Sequence, residues 1–121
     1  MATLLVNTGR AIVTNRIKGS GTEPLYVGYG TGAGTTGATD TTLFTETGSR
    51  ATGTSSQVTT STTNDTYQVV GTQTAGGTLA ITNAGLFDAS TSGNLFVKGD
   101  FSTINLSSGD SIQFTFKTQF S

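Results

Sequence analysis

The chain has 121 residues, only 11% of them charged, and its formal net charge is −1. It contains no cysteine and no histidine, which excludes disulfides, thiolate nucleophiles, imidazole bases and the usual zinc sites. Six cations among 121 residues are too few for a basic patch that holds phosphates, so we expect no nucleic-acid partner.

The chain begins with a short apolar stretch within residues 1–7, which we interpret as an extended arm. Leu4, Leu5 and Val6 are costly to leave in water, so they are our candidate contact with a larger shell or a neighbouring subunit. An edge strand of the protein's own sheet is the alternative interpretation. No apolar run reaches the length that spans a bilayer and no signal peptide is recognisable, so we expect synthesis in a cytoplasm and no membrane partner.

A helix is predicted over Gly9–Lys18, with Thr8 as its cap and Gly19 at its end. At helical spacing three apolar side chains fall within an arc of about 140°: Ile12, Val13 and Ile17. A strand over the same residues is the alternative.

The middle of the chain alternates between predicted strands and turns. A strand over Leu25–Tyr29 precedes the glycine-rich loop Gly30–Thr42, whose small polar residues cannot form a packed element. Glu46 and Arg50 are four residues apart, so they form either a helical pair or a tie at the end of that loop, and we favour a buried structural role for Arg50.

Further along, Asn64–Asp65 predicts a hairpin turn that leads into a strand over Thr66–Thr74. Tyr67, Val69 and Gly71 share one face of that strand.

The densest apolar cluster lies in a predicted hairpin. Two extended runs flank the turn-forming segment DASTSG: Leu79–Phe87 and Asn94–Phe101. We expect Phe87 and Phe96 to reach the interior, while Lys98 and Asp100 stay in water.

The C-terminal part predicts two more strands. A short one covers Phe101–Leu106, and the last one alternates, with Ile112, Phe114 and Phe116 on one face. Seven or eight short strands separated by turns predict one domain over residues 1–121, an antiparallel β-sandwich or jelly roll.

No residue pattern indicates chemistry. The alternating glycines from Gly28 to Gly34 lack the lysine and the helix of a phosphate-binding loop. The carboxylates stand in predicted turns, where they cap amides, although a calcium site made by two turn aspartates is an alternative. The tyrosines could stack on sugars, but we favour packing. We therefore expect no catalytic residue, cofactor, metal or small-molecule substrate.

Three blocks together resemble small virion proteins of tailed bacteriophages. They comprise residues 26–32 with the run from Asp40 to Glu46 and Arg50, then residues 81–88 with 93–96, and finally Leu106, Gly109-Asp110 and the terminal alternating strand. The same order of blocks is similar to head-proximal modules of phage tail fibres.

This resemblance implies a capsid decoration or cement protein that binds the outer capsid surface and stabilises the shell. Its partner would be the major capsid protein, its location the virion after synthesis in the host cytoplasm, and its assembly a homotrimer at three-fold positions. A tail or tail-fibre adaptor and a carbohydrate-binding β-sandwich module are the alternative functions.

Overall fold

The computed structural model describes residues 3–121, which form eight strands and one helix. The elements are β1 (Thr3–Leu5), α1 (Asn7–Ile17), β2 (Tyr26–Gly30), β3 (Glu46–Thr52), β4 (Thr54–Val58), β5 (Thr66–Thr74), β6 (Leu79–Phe87), β7 (Leu95–Leu106) and β8 (Ser111–Gln119). One sheet has the strand order β1-β7-β6-β2-β3 and the other β4-β5-β8, with antiparallel pairing throughout. The predicted antiparallel β-sandwich is confirmed.

The predicted hairpin lies in the larger sheet, where β6 pairs with β7 over most of its length. Phe87 and Phe96 are each 2% exposed, which confirms that both reach the interior. The separate strand predicted from Phe101 is wrong, because β7 continues through to Leu106. The register between β6 and β7 shifts between Ile81 and Asn83, and β7 continues past this irregularity without a turn.

The space between the two sheets is filled by side chains from both sheets and from the helix. This cluster contains Ile12, Val27, Val69, Leu86, Phe96 and Val97. The predicted faces of β5 and β8 are confirmed, because Val69 pairs with Phe116 and Gly71 with Phe114. Short-range alternation therefore identified the inner face of the smaller sheet correctly.

The helix differs from its prediction at the start. It begins at Asn7, directly after β1, and Val6 is its N-cap without a side-chain cap. Thr8 is not the cap, because its Oγ1 donates a hydrogen bond to the Leu95 carbonyl at 2.6 Å. The predicted end is confirmed: Gly19 follows the helix with a φ of 92°.

Gly9 explains how closely the helix lies on β7. A Cβ atom at Gly9 would stand 2.0 Å from the Phe96 carbonyl oxygen, so only glycine permits this approach.

Candidate functional site

The apolar residues at the N-terminus lie in the protein's own sheet. Leu4 and Leu5 belong to β1, which pairs with Lys98 and Val97 of β7, and both side chains are half-buried. Val6 is fully buried. The described part of the predicted arm is thus an edge strand followed by the helix start, whereas Met1 and Ala2 lie outside the described residues. Of the three candidate contact residues, Leu4 and Leu5 keep partly exposed side chains, whereas Val6 does not.

Lys98 corrects a second prediction. We expected it in water, but its side chain is 1% exposed and Nζ lies 2.9 Å from Oδ2 of Asp40. Nζ also lies 3.3 Å from the centre of the Phe44 ring, a cation–π contact. Asp40 belongs to the glycine-rich loop, and Phe44 lies just after it in the same connection between β2 and β3, so this connection folds back over the larger sheet and covers the lysine. The hydrogen bond from Lys98 is the main cause that lowers the pKa of Asp40.

Two further side chains of the larger sheet hold the same loop. Asn83, fully buried, accepts from the Phe44 amide at 3.0 Å through Oδ1 and donates to the Phe44 carbonyl at 3.0 Å through Nδ2. Asp100 accepts from the Thr36 amide at 2.9 Å and is half-buried, so its predicted place in water is also wrong. The loop lacks regular structure, as predicted, yet it forms a fixed cover over the sheet.

Arg50 has the buried structural role that we expected. Its side chain is 7% exposed, and Nε lies 2.7 Å from Oε2 of Glu46. The helical interpretation of this pair is wrong, since both residues belong to β3, where Gly48 has a φ of 71° and the register shifts. Arg50 also donates to the carbonyls of Ala89 and Ser92 and stacks on the Phe87 ring, 3.4 Å from its centre. It therefore fixes the loop between β6 and β7.

The tyrosines and carboxylates are used in packing and turns. Tyr29 is 5% exposed, and the Tyr67 hydroxyl donates to Glu23 while its ring meets Phe96 edge-on. Burial, with that carboxylate as a second cause, raises the pKa of Tyr67. Asn64–Asp65 belongs to the connection between β4 and β5, as predicted, but this connection covers residues 59–65, and Asp65 accepts there from the amides of residues 60, 61 and 62. Within residues 3–121, no three carboxylates gather in a group that could hold a metal ion.

An apolar groove of about 580 Å³ lies between α1 and the end of the smaller sheet, and we call it the helix groove. Ile12, Val13, Tyr67 and Phe96 contribute to its lining. Ile17, 81% exposed, and Phe120, 45% exposed, also line it. Ile17 was predicted to share an apolar arc of the helix with Ile12 and Val13, but it is the last residue of α1 and stays exposed.

A second surface feature lies on the side of the sandwich where β7 of the larger sheet approaches β8 of the smaller sheet, with Phe101 and Phe114 in ring contact. We call it the open side. It consists of Thr103–Leu106 of β7 and the whole of β8. The described part of β1 pairs only with residues 97–99 of β7. On the edge of β7 away from β6, no described strand therefore lies beside Thr103–Leu106. The strand β8 pairs only with β5 and is the edge of its sheet. Local sequence patterns do not predict the open side, since it depends on which strands lie at the sheet edges.

No protein-family model matches this chain, and neither a curated protein nor a solved structure matches it. None of the helices described between residues 3 and 121 is long and apolar enough to cross a membrane.

Proposed function

We propose that this protein is a structural virion protein, a capsid decoration or cement protein of a tailed bacteriophage that acts by binding and not by catalysis. The helix groove is the observation that carries the proposal. Two large apolar side chains, Ile17 and Phe120, stand in water beside it on a chain that is only 11% charged. Exposed apolar surface of this kind is typical of a surface that binds another protein.

The groove suits a broad contact with the outer surface of the major capsid protein. Fully burying a side chain of this size contributes about 1.5–3 kcal/mol, and Ile17 is exposed enough to gain most of that. Arg16 and Glu23 also line the groove and supply a polar edge around its apolar centre. Leu4 and Leu5, half-buried on the edge strand β1, are a second candidate contact with capsid or subunit.

A homotrimer at three-fold positions of the shell completes the proposal. One trimer contacts three neighbouring capsomers, so weak contacts multiply by avidity and clamp the capsomers together. The rigid fold supports such a clamp, because side-chain contacts fix both the glycine-rich loop and the loop after β6.

Quantitative mass spectrometry of purified particles tests the location. A copy number comparable to that of the major capsid protein is expected for a decoration protein. A copy number comparable to that of a tail component would refute the proposal in favour of the tail adaptor. Binding of the isolated protein to a glycan array, with no binding to capsids, would favour the carbohydrate-binding module.

Variants of the groove test the contact itself. Ile17→Lys and Phe120→Lys should each lower the occupancy of capsids that lack the native protein, because each places a charge in the apolar contact. Thr14→Lys is the matched control: it adds the same charge on the exposed surface of the same helix, outside the groove lining. If Ile17→Lys and Thr14→Lys bind capsids equally well, the groove is not the contact.

A further inference from the structure

The open side exposes apolar residues that the fold itself does not cover. Ile104 pairs directly with Ile81, so the two side chains share a face of the sheet. Ile81 is fully buried, yet Ile104 is 39% exposed. The difference arises because Ile104 lies at an edge where no described strand covers it.

Aromatic side chains continue this surface between the two sheets. Phe101 and Phe114 have ring centres 6.4 Å apart, and Phe114 and Phe116 have centres 6.1 Å apart. All three rings are only partly buried, as are Leu106 and Ile112. Partly exposed apolar side chains gathered beside two strand edges are typical of an interaction site.

The edge of β8 carries little protection against another strand. Its nine residues, SIQFTFKTQ, include one charge, Lys117, and neither proline nor glycine. Natural edge strands usually avoid pairing by charges, prolines, bulges or short length. The register of β8 with β5 is regular over all nine residues, so no bulge turns the edge away.

We propose that the open side is the subunit interface, and that a second copy of this chain covers it: the β8 edge of one copy adds alongside Thr103–Leu106 of the next. The inference rests on the homotrimer proposed above and gives that trimer its contact. Each copy carries both edges, so a head-to-tail arrangement supplies every edge with a partner, and a three-fold rotation between copies closes it into the proposed trimer.

The charge distribution favours a second copy over a charged partner. Thr103, Ile104, Asn105 and Leu106 are uncharged, and β8 contributes only Lys117, whose side chain stands on the face opposite Phe116. Pairing these segments buries backbone groups that bond to each other and apolar side chains that leave water. The contact buries no ion pair, and so it avoids the cost of removing paired charges from water.

Sedimentation velocity of the purified chain and of three lysine variants tests the interface. The wild type should sediment as a trimer. Ile104→Lys and Asn105→Lys should weaken association by about tenfold or more, because each places a charge at the interface. Asn105 is exposed, so its variant folds even if Ile104→Lys does not. Ile17→Lys is the matched control, since Ile17 is exposed on the helix away from the open side, and it should remain trimeric.

Amide hydrogen exchange locates the contact independently. In the wild type, protection should extend to those amides of residues 103–106 and 111–119 that do not bond to β6 or β5, and the two edge variants should lose this added protection while Ile17→Lys keeps it. A monomeric wild type, or trimeric edge variants with unchanged exchange, would overturn the inference. Capsid occupancy with Ile17→Lys tests the decoration function separately, so failure of the interface and failure of the function give different results.

Discussion

The ion pair between Lys98 and Asp40 should be asymmetric in its effect on stability. Removing the charge of Asp40 leaves an ammonium group that is 1% exposed, whereas removing the charge of Lys98 leaves a carboxylate that is 24% exposed and still bonded to the Gly37 amide. We expect Asp40→Asn to cost about 3 kcal/mol, the low end of the range for breaking a buried pair, because asparagine keeps an oxygen near Nζ. Lys98→Met keeps the apolar stem against Phe44 and should stay within about 1 kcal/mol of the wild type.

Urea unfolding at neutral pH measures both values, and the double variant completes the cycle. The double variant should resemble Lys98→Met alone, since no buried charge is left without a partner.

The dependence of stability on acid pH adds an independent check. Because the fold lowers the pKa of Asp40, its stabilisation is present above the unfolded pKa and is lost as pH falls through the folded one. Asp40→Asn should therefore flatten the acid limb of the stability curve. If Lys98→Met lowers the free energy of unfolding more than Asp40→Asn does, the Asp40 carboxylate is not the main partner that stabilises the buried lysine.

Other parts of the fold give further expectations. Phe87→Ala and Phe96→Ala should each lower the free energy of unfolding by about 3–5 kcal/mol in urea titrations, because both rings are buried; a smaller loss than for Asp65→Asn would contradict the core assignment. Hydrogen bonds from the Thr62 and Thr60 amides lower the pKa of Asp65, so Asp65→Asn should lose less stability than the wild type when pH falls below its unfolded pKa. Gly9→Ala should lower the melting temperature, since its Cβ would meet the Phe96 carbonyl. A chelator should leave the melting temperature unchanged, and a drop of several degrees would support the calcium alternative.

Two strands were predictable to the residue because their signal is local. Thr66–Thr74 and Leu79–Phe87 have the predicted bounds, since turn-forming residues flank each of them. The location of Lys98 was not predictable in this way. Its partner, Asp40, lies 58 residues earlier in a loop whose composition predicts no packing.

The two exposed surfaces were missed for a related reason. Ile17 is the last residue of α1 and lies about 140° around the helix from Ile12, so the two share an apolar arc but not the same surroundings: Ile17 is 81% exposed and Ile12 5%. The exposure of Ile104 likewise depends on how far β1 extends along β7. A local pattern shows which side chains share a face, whereas the extent of the neighbouring strands decides which of them are covered.

The covering loop also explains why the hydrophobic pattern of the central strands is not alternating. Residues 83–87 of β6 and 95–99 of β7 are buried at every position, which a two-layer sandwich with one wet face would not give. The glycine-rich loop supplies a third layer, held by Lys98 and Asn83, and it removes the outer face of the larger sheet from water. Because that face is already covered by the chain itself, the contacts that we propose with other molecules fall on surfaces that remain apolar and exposed: the helix groove on one side and the open side on another.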